Sequence, residues 1–526
     1  MKMLFLVLPC VALAVAVTGC SQPRGNENAV APPTPPSDLV AQIYFAGGEQ
    51  ISADTNSLAF TNLWCSPEAQ ALRAQTLNQL ALAPYELLRK RIATPSNNGV
   101  RQFRPLLDDL LQSEWFLDVR DATNGPPEPV LAIHLNTARA QFWQTNLADI
   151  LETWTALPVK QIPDGWELKK HLPPNRIRFV RAGDWVVLGC GQDELPLNDE
   201  IVRRVLAEKR PGPVETNSWL SADADWPRLA RWFSWTNAVD WPTTRLQISA
   251  RDGNLRWDGK FIYPQPLKWQ LEPWQFPTNL IHQPMVSFTA MRGVRSWLAE
   301  QSRLTNFSKW LPDQIFVWAL AGVPLQTFAA APVTNATNAL QELDEKLLAP
   351  FNTNLQSRML GSFLLATNGA EINWRGLPFI TPFVQADREP AGEFLFAGLF
   401  PDTPDAQPLP PALFTELSRT NLVYYDWEVT AERLSGVLNV SQLALMLAQR
   451  QQLDAQSAAD KWLLHRVGTT PNSTVTEITQ TAPDELTFKR SAPAGFTAAE
   501  LIVLAHWLEA ADFPVGGFHL PPRVEN

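Results

Sequence analysis

Hydrophobic and polar positions change period several times along this chain, and the changes divide it into short strands and amphipathic helices. Compact apolar runs that end in or beside glycine, LVAQIYFAG (39–47), MVSFTAMRG (285–293) and GEFLFAGLF (392–400), read as buried strands. PVLAIHL (129–135), IFVWALAG (315–322) and NLVYYDWEV (421–429) read as a second set. Between them the period lengthens to three and four. Trp143, Leu147, Ile150 and Trp154 mark one apolar helix face after Asn136, with counterparts expected over 336–348 and 431–451. Ser66-Pro67-Glu68 predicts a helix start, with a capping hydroxyl, Pro at the first helical position and an acid favoured by the dipole. Thr497 and Glu500 form a capping box ahead of Leu501, Leu504 and Leu508.

Hairpins carry their own signals. RFVRAGDWVVL turns at 182–184, and VTEITQTAPDELTFKR turns at Pro483-Asp484. ISARDGNLRWDGKF (248–261) and LLATNGAEINWRGLPF (364–379) each place Asp-Gly or Asn-Gly before a strand, dipeptides that accept the positive φ of type I′ turns. The pattern predicts an α+β fold in which antiparallel sheets are covered by helices. It further predicts about three diverged strand-helix-strand-helix-hairpin units. The first lobe is expected at 39–283, with an extra hairpin and a Trp-rich segment, the second unit at 284–391 and the third at 392–526.

The amino terminus has a different character. Lys2 precedes an apolar run of about fifteen residues, which fits a signal peptide and falls short of the roughly twenty a spanning helix needs. Val17-Thr18-Gly19-Cys20 resembles the lipobox of bacterial lipoproteins. The resemblance implies cleavage of residues 1–19, thioether diacylation of Cys20 and acylation of the new amino terminus. Two or more acyl chains anchor stably, because each buried methylene contributes about 0.8 kcal/mol. Ser21, rather than Asp, follows the cysteine, which by analogy with Gram-negative sorting points to the outer membrane. Residues 20–38 then read as the lipidated cysteine and a Pro-rich tether, able to reach roughly 50 Å in polyproline form. The alternative is a soluble secreted chain.

Composition narrows the picture. A chain of 526 residues has room for two to four units of roughly 100–200 residues each. Its 45% hydrophobic content supports a packed core, and 18% charged residues argues against disorder. The 53 acidic and 43 basic residues are dispersed without a basic cluster, which argues against nucleic-acid binding. The most apolar later stretch, 316–332, is too short to span a bilayer and is broken by Gly322 and Pro324. Cys10 leaves with the signal and Cys20 takes lipid, so Cys65 and Cys190 remain where disulfides persist. One bridge between them and two separately buried thiols both fit. No CxxC supports a redox or zinc role.

Candidate chemistry is sparse. His134, His171, His282, His465, His506 and His519 make no metal-binding spacing, and no nucleophile elbow, Walker loop or dinucleotide fingerprint occurs. No cofactor or metal is therefore expected. In YYDWE, a strand puts Tyr424, Asp426 and Glu428 on one face and Tyr425, Trp427 and Val429 on the other. Two acids beside aromatics suit glycoside hydrolysis. Same-face neighbours on one strand lie roughly 7 Å apart, however, and more often mark a polar or edge face. Among the 21 tryptophans, Trp219, Trp226, Trp232, Trp235 and Trp241 crowd into 218–242. Exposed, they would make a surface for a glycan or protein partner. Packed, they would cover a crossover, as the i, i+3 spacing of Trp232 and Trp235 beside Phe233 suggests.

QISADTNSLAF (50–60), NLVYYDWEVTAERL (421–434) and PDELTFKRSAPAGFTAAEL (483–501) resemble blocks of a family of uncharacterised exported proteins of Verrucomicrobia and related bacteria. The resemblance covers most of the mature chain. It implies an exported α+β protein and assigns no activity, cofactor or binding residue. The expected protein is membrane-attached through its lipid and non-enzymatic, either binding an unknown protein or glycan partner or supporting the envelope. The alternative is a glycan-binding or glycan-processing surface lipoprotein that uses the Trp-rich segment with Asp426 and Glu428.

Overall fold

The protein is described by a computed structural model that covers residues 39–88, 99–121, 127–170, 175–192, 194–214, 217–233, 241–269, 271–300, 311–321, 326–357, 361–376, 381–400, 407–408, 417–447, 457–470, 472–511 and 513–514. Residues 1–38, where the signal peptide, Cys20 and the tether are expected, lie outside them. Contacts divide the chain into two compact units, Met1–Gln265 with Leu504–His519 and Pro266–Val503 with Leu520–Asn526.

The first unit contributes ten strands: β1 (Leu39–Phe45), β2 (Trp115–Arg120), β3 (Glu128–His134), β4 (Lys160–Ile162), β5 (Gly165–Lys169), β6 (Arg176–Ala182), β7 (Trp185–Gly191), β8 (Ser218–Asp225), β9 (Thr243–Arg251) and β10 (Asn254–Ile262). Their pairings within the unit are antiparallel and run in the order 10-9-8-1-2-3-7-6-5-4. Helices α1 (Pro67–Leu88), α2 (Gly99–Gln112), α3 (Thr137–Thr155), α4 (Pro196–Glu208) and α5 (Trp226–Phe233) accompany them. The cap expected at Ser66 forms, and Asn136 supplies a further one. Ser66 Oγ accepts the Ala69 amide at 3.2 Å, and Asn136 Oδ1 accepts the Arg139 amide at 2.9 Å. Trp143, Ile150 and Trp154 are the buried face of α3. Ile201 and Val205 of α4 pack on Tyr44, Phe116, Val130, Ala132 and Val187 to make one core.

The second unit repeats the plan. Besides a short pair, His282–Gln283 with Gln407–Pro408, its strands are β11 (Met285–Arg292), β12 (Gln314–Leu320), β13 (Thr327–Val333), β14 (Ser362–Leu365), β15 (Glu371–Arg375), β16 (Phe383–Glu389), β17 (Gly392–Gly398), β18 (Leu422–Val429), β19 (Ser473–Ala482) and β20 (Glu485–Ala492). β11 to β20 pair in the order 20-19-18-11-12-13-17-16-15-14, again antiparallel. That is the first unit's order with every label raised by ten. Its helices include α6 (Ala336–Leu343), α7 (Thr430–Leu447), α8 (Ala458–His465) and the start of α9 (Ala498–Glu509), which from Leu504 onward is counted with the first unit. Phe288, Phe316, Trp318, Phe328, Phe394 and Phe396 form an aromatic core against one face of this sheet.

The α+β class with antiparallel sheets and helices is as expected; the strand order repeats twice, and the three diverged units are not confirmed. A boundary at 391/392 would cut the hairpin between β16 and β17, whose strands pair from Phe383↔Gly398 to Glu389↔Gly392. The two Gly-containing turns differ as well. Asp252 and Gly253 both have positive φ (53° and 75°) and join β9 to β10 in a two-residue turn. At 366–370 only Gly369 has positive φ, and its amide donates to the Ala366 carbonyl at 2.8 Å. These hairpins hold non-corresponding places, β9–β10 and β14–β15. Their likeness comes from turn chemistry rather than from repetition.

Sheet edges are exposed to adventitious pairing, and each unit blunts one differently. The first ends on β4, three residues long and carrying Lys160. The second ends on β14, where the Asn352 amide accepts from the Phe363 N–H at 2.7 Å and donates to its carbonyl at 2.8 Å. One side chain thus occupies the bonds that another strand would seek.

Candidate functional site

Tyr424, Asp426 and Glu428 share one face of β18, as alternation requires, while Tyr425 and Trp427 turn into the aromatic core. β18 is an interior strand, paired with β11 and β19. Its acids are buried, with Asp426 only 7% and Glu428 only 4% exposed. Cross-strand register extends the polar face. Asp426 lies between Thr289 of β11 and Thr476 of β19, and Thr476 in turn pairs with Arg490 of β20. Glu428 lies between Ser287 and Thr474.

Each acid has a structural partner. Thr289 Oγ1 donates to Asp426 Oδ1 at 2.6 Å, and the backbone N–H of Ala498, the first residue of α9, donates to Glu428 Oε1 at 2.7 Å. Arg490 directs Nε to Thr476 at 2.9 Å and its two Nη atoms to Glu500 at 2.7 and 2.8 Å. Glu500 also closes the expected capping box, accepting from Thr497 N–H at 2.9 Å. Thr430 and Thr474 hydroxyls meet at 2.9 Å. Burial raises the Asp426 carboxyl, opposed by Thr289, Arg490 and Arg433. Burial and then repulsion from Asp426 push Glu428 up to about 7. The Tyr424 hydroxyl is raised too, by burial first and by Asp426 next.

The first unit carries an acid pair on the corresponding strand, β8, as Asp223 and Asp225. Asp223 is paired across the sheet with Gln42 of β1 and Arg245 of β9, the same two neighbouring strands in the connection. Here the face is open: the Arg245 Nε–Asp223 Oδ1 bond, 2.8 Å, joins side chains 74% and 49% exposed. Asp225 accepts the Arg228 amide at 3.0 Å, capping the helix α5 that follows it directly. Glu428 instead caps a helix seventy residues further along the chain. Strand-borne glutamates serve two other helices in the same way. Glu128 of β3 receives the Leu197 and Asn198 amides of α4 at 3.1 and 2.9 Å, and Glu393 of β17 receives the Ala336 amide of α6 at 2.9 Å.

The Trp-rich segment is used for packing where it is described. Trp219 is buried; its indole N–H donates to Asp54 Oδ2 at 2.9 Å and its ring lies 5.6 Å from Phe60. Burial raises the Asp54 carboxyl, but bonds from Asn56 and Trp219 outweigh it and leave the pKa low. Trp226 is buried at the start of α5, donating to Thr244 Oγ1 at 3.1 Å, with the half-buried Trp241 ring 6.4 Å away. A ligand surface requires exposed rings, which Trp219 and Trp226 do not offer. Trp235 and the Trp232 side chain lie outside the described residues.

Cys65, exposed after the helix Leu58–Trp64, and Cys190, half-buried on β7, are both free thiols, so the bridge is not formed. Desolvation pushes the Cys190 thiol up to about 11, which suppresses the reactive thiolate. Among the described residues, no group of three or more His, Cys, Asp or Glu is placed to hold a metal ion. No described helix is long and apolar enough to cross a membrane.

Sequence reasoning found the two acids but not Thr289, Thr476, Arg490 and Glu500 as their surroundings. The period-2 polar positions in STVTEIT and the capping box held part of that signal. Fold and site together define an α+β protein of two like-connected antiparallel units, one of which buries a carboxylate-rich sheet face beneath a helix start. No protein-family model, curated protein or solved structure matches the chain.

Proposed function

We propose that the mature chain is a lipid-anchored exported protein of the cell envelope, attached to the outer membrane through Cys20, that works as a binding or structural body. The observation that supports this is the use made of its best catalytic candidates. Asp426 and Glu428 are buried, and their oxygens take the Thr289 hydroxyl and the Ala498 amide. A glycosidase needs its two carboxyls to flank a bound sugar. Here the first turn of α9 stands against Glu428, and Trp427 is on the other side of the sheet. Trp219 and Trp226 spend their indole N–H groups on Asp54 and Thr244. The like connection of the two units further supports a protein enlarged by doubling one framework, which gains surface for partners without needing a cleft.

The anchor and the partner have separate tests. Cys20→Ala should abolish metabolic lipid labelling and shift the protein from the membrane to the soluble fraction; unchanged fractionation refutes the anchor. The native lipoprotein, extracted in detergent from envelopes and captured, should bring down a defined protein partner and give no signal on a glycan array. A glycan signal lost on substitution of Asp426 or Glu428 would replace this reading with a glycan-binding one.

A further inference from the structure

We propose that Asp426 and Glu428 form a proton-dependent latch for helix α9: one proton held on this buried pair keeps the helix's first turn on the sheet, and its loss frees that turn. This goes beyond the binding role and does not depend on it. The geometry carries the argument. Glu428 is the side chain through which β18 grips α9, by the 2.7 Å bond from the Ala498 amide. Two residues away on the same face, Asp426 brings a second carboxyl into the same buried layer.

The surroundings do not neutralise both. From β11 come Ser287 and Thr289, and from β19 Thr474 and Thr476, all uncharged. β18 itself adds the Tyr424 phenol, which stays neutral because burial raises its pKa. Helix α7 supplies the Thr430 hydroxyl and the Arg433 cation beside Glu428. β20 supplies Arg490, whose guanidinium is held by Glu500 of α9 and by Thr476. Asp426, Glu428 and Glu500 therefore face Arg433 and Arg490, three carboxyls against two guanidiniums. With every group ionised, one negative charge is left over, and the two acids of β18 are the members most shielded from water. A proton on either acid removes it: on Asp426 it leaves the Glu428 carboxylate to accept from Ala498 at full strength, and on Glu428 it leaves a weaker bond to the neutral Oε1.

The direction of the pH effect follows. Burial and then Asp426 push Glu428 up to about 7, against the Ala498 and Thr430 bonds and the pull of Arg433. Burial also raises Asp426. A carboxyl raised on folding holds a proton that the unfolded chain releases near roughly 4.3. Its contribution is therefore complete below that value and lost as pH climbs through about 7. Asp54, Glu167 and Glu200 have lowered pKa values and act in the opposite sense, so a global melting curve mixes both slopes. The readout must be local.

Hydrogen exchange of the full-length protein supplies it, following the amides at the start of α9 against those of β12, each divided by its intrinsic chemical rate. From pH 5.5 to pH 8, opening at the helix start should rise at least about tenfold while β12 stays level. Glu428→Gln, which retains the acceptor and cannot ionise, should flatten that rise and leave the helix start protected at pH 8. Glu500→Gln leaves two carboxyls facing the two guanidiniums and should shrink the rise; a rise as large as wild type in that variant would overturn the charge balance. A flat wild-type profile overturns the latch even if no variant folds. An undiminished rise in Glu428→Gln overturns it equally.

Discussion

Trp318→Ala should destabilise the second unit by about 3–5 kcal/mol, the cost of emptying a large aromatic site in a core that can only partly collapse. Trp318 has no solvent exposure. It sits directly opposite Phe328 across the β12–β13 ladder, with ring centroids 5.7 Å apart, and stacks on Phe396 at 5.8 Å with planes only 9° apart. Phe328 and Phe396 are themselves stacked, so the three rings form a continuous layer that no single neighbour can refill. Gly398 belongs to the same layer: a methyl group there would come within 2.7 Å of both Phe328 and Phe383. The indole N–H of Trp318 is buried without a hydrogen-bond partner. Trp318→Phe removes that unsatisfied donor along with some volume, and should cost under about 2 kcal/mol. Urea titration followed by hydrogen exchange of the β12 amides measures both. Equal losses in the two variants would show that packing in this layer is not what holds the unit.

Local signals were legible in the sequence and long-range ones were not. The face shared by Tyr424, Asp426 and Glu428 follows from period 2 alone. So do the helix starts at Ser66 and Thr497, where one side chain meets one amide within a single turn. Asp252-Gly253 announced a two-residue turn because few other dipeptides accept positive φ twice. The twofold strand order was illegible for the same reason that these were legible. Pairings such as β1 with β8, β3 with β7 and β11 with β18 join segments far apart in sequence and leave no local mark. The Asp-Gly and Asn-Gly turns in 248–261 and 364–379 therefore report local turn chemistry and nothing of the strand order. The Trp-rich stretch shows the same limit. Its composition is visible, but whether Trp219 is a surface or a core residue is decided by Asp54 and Phe60, more than 150 residues earlier. Likewise Asp426 and Glu428 have catalytic-looking chemistry until α9 is placed over them.

Arg292 is the other position where one substitution should be costly. It ends β11, is only 3% exposed, and has a guanidinium desolvated enough to lower its pKa, with Asp313 opposing that shift. Nothing in its bonding is another side-chain charge: Nε donates to the Leu422 carbonyl at 2.6 Å, one Nη to the Glu272 carbonyl at 2.9 Å and the other to the Thr420 carbonyl. The plane stands 4.9 Å over the Trp274 ring. One planar fork thus gathers the chain before β11 and the entry to β18, the strand that carries both buried acids. Arg292→Met keeps the stem's apolar volume but strands three carbonyls, and should cost about 3–5 kcal/mol. Arg292→Lys keeps the charge and should recover less than half of that, since an ammonium cannot span three acceptors set for a fork. Thermal and urea unfolding of the two variants, with exchange at β18 as the local probe, separates charge from geometry. A lysine variant as stable as wild type would mean that the positive charge alone suffices. With the fork as the cause, β18 should lose protection from its Leu422 end first, before Asp426 and Glu428 are reached.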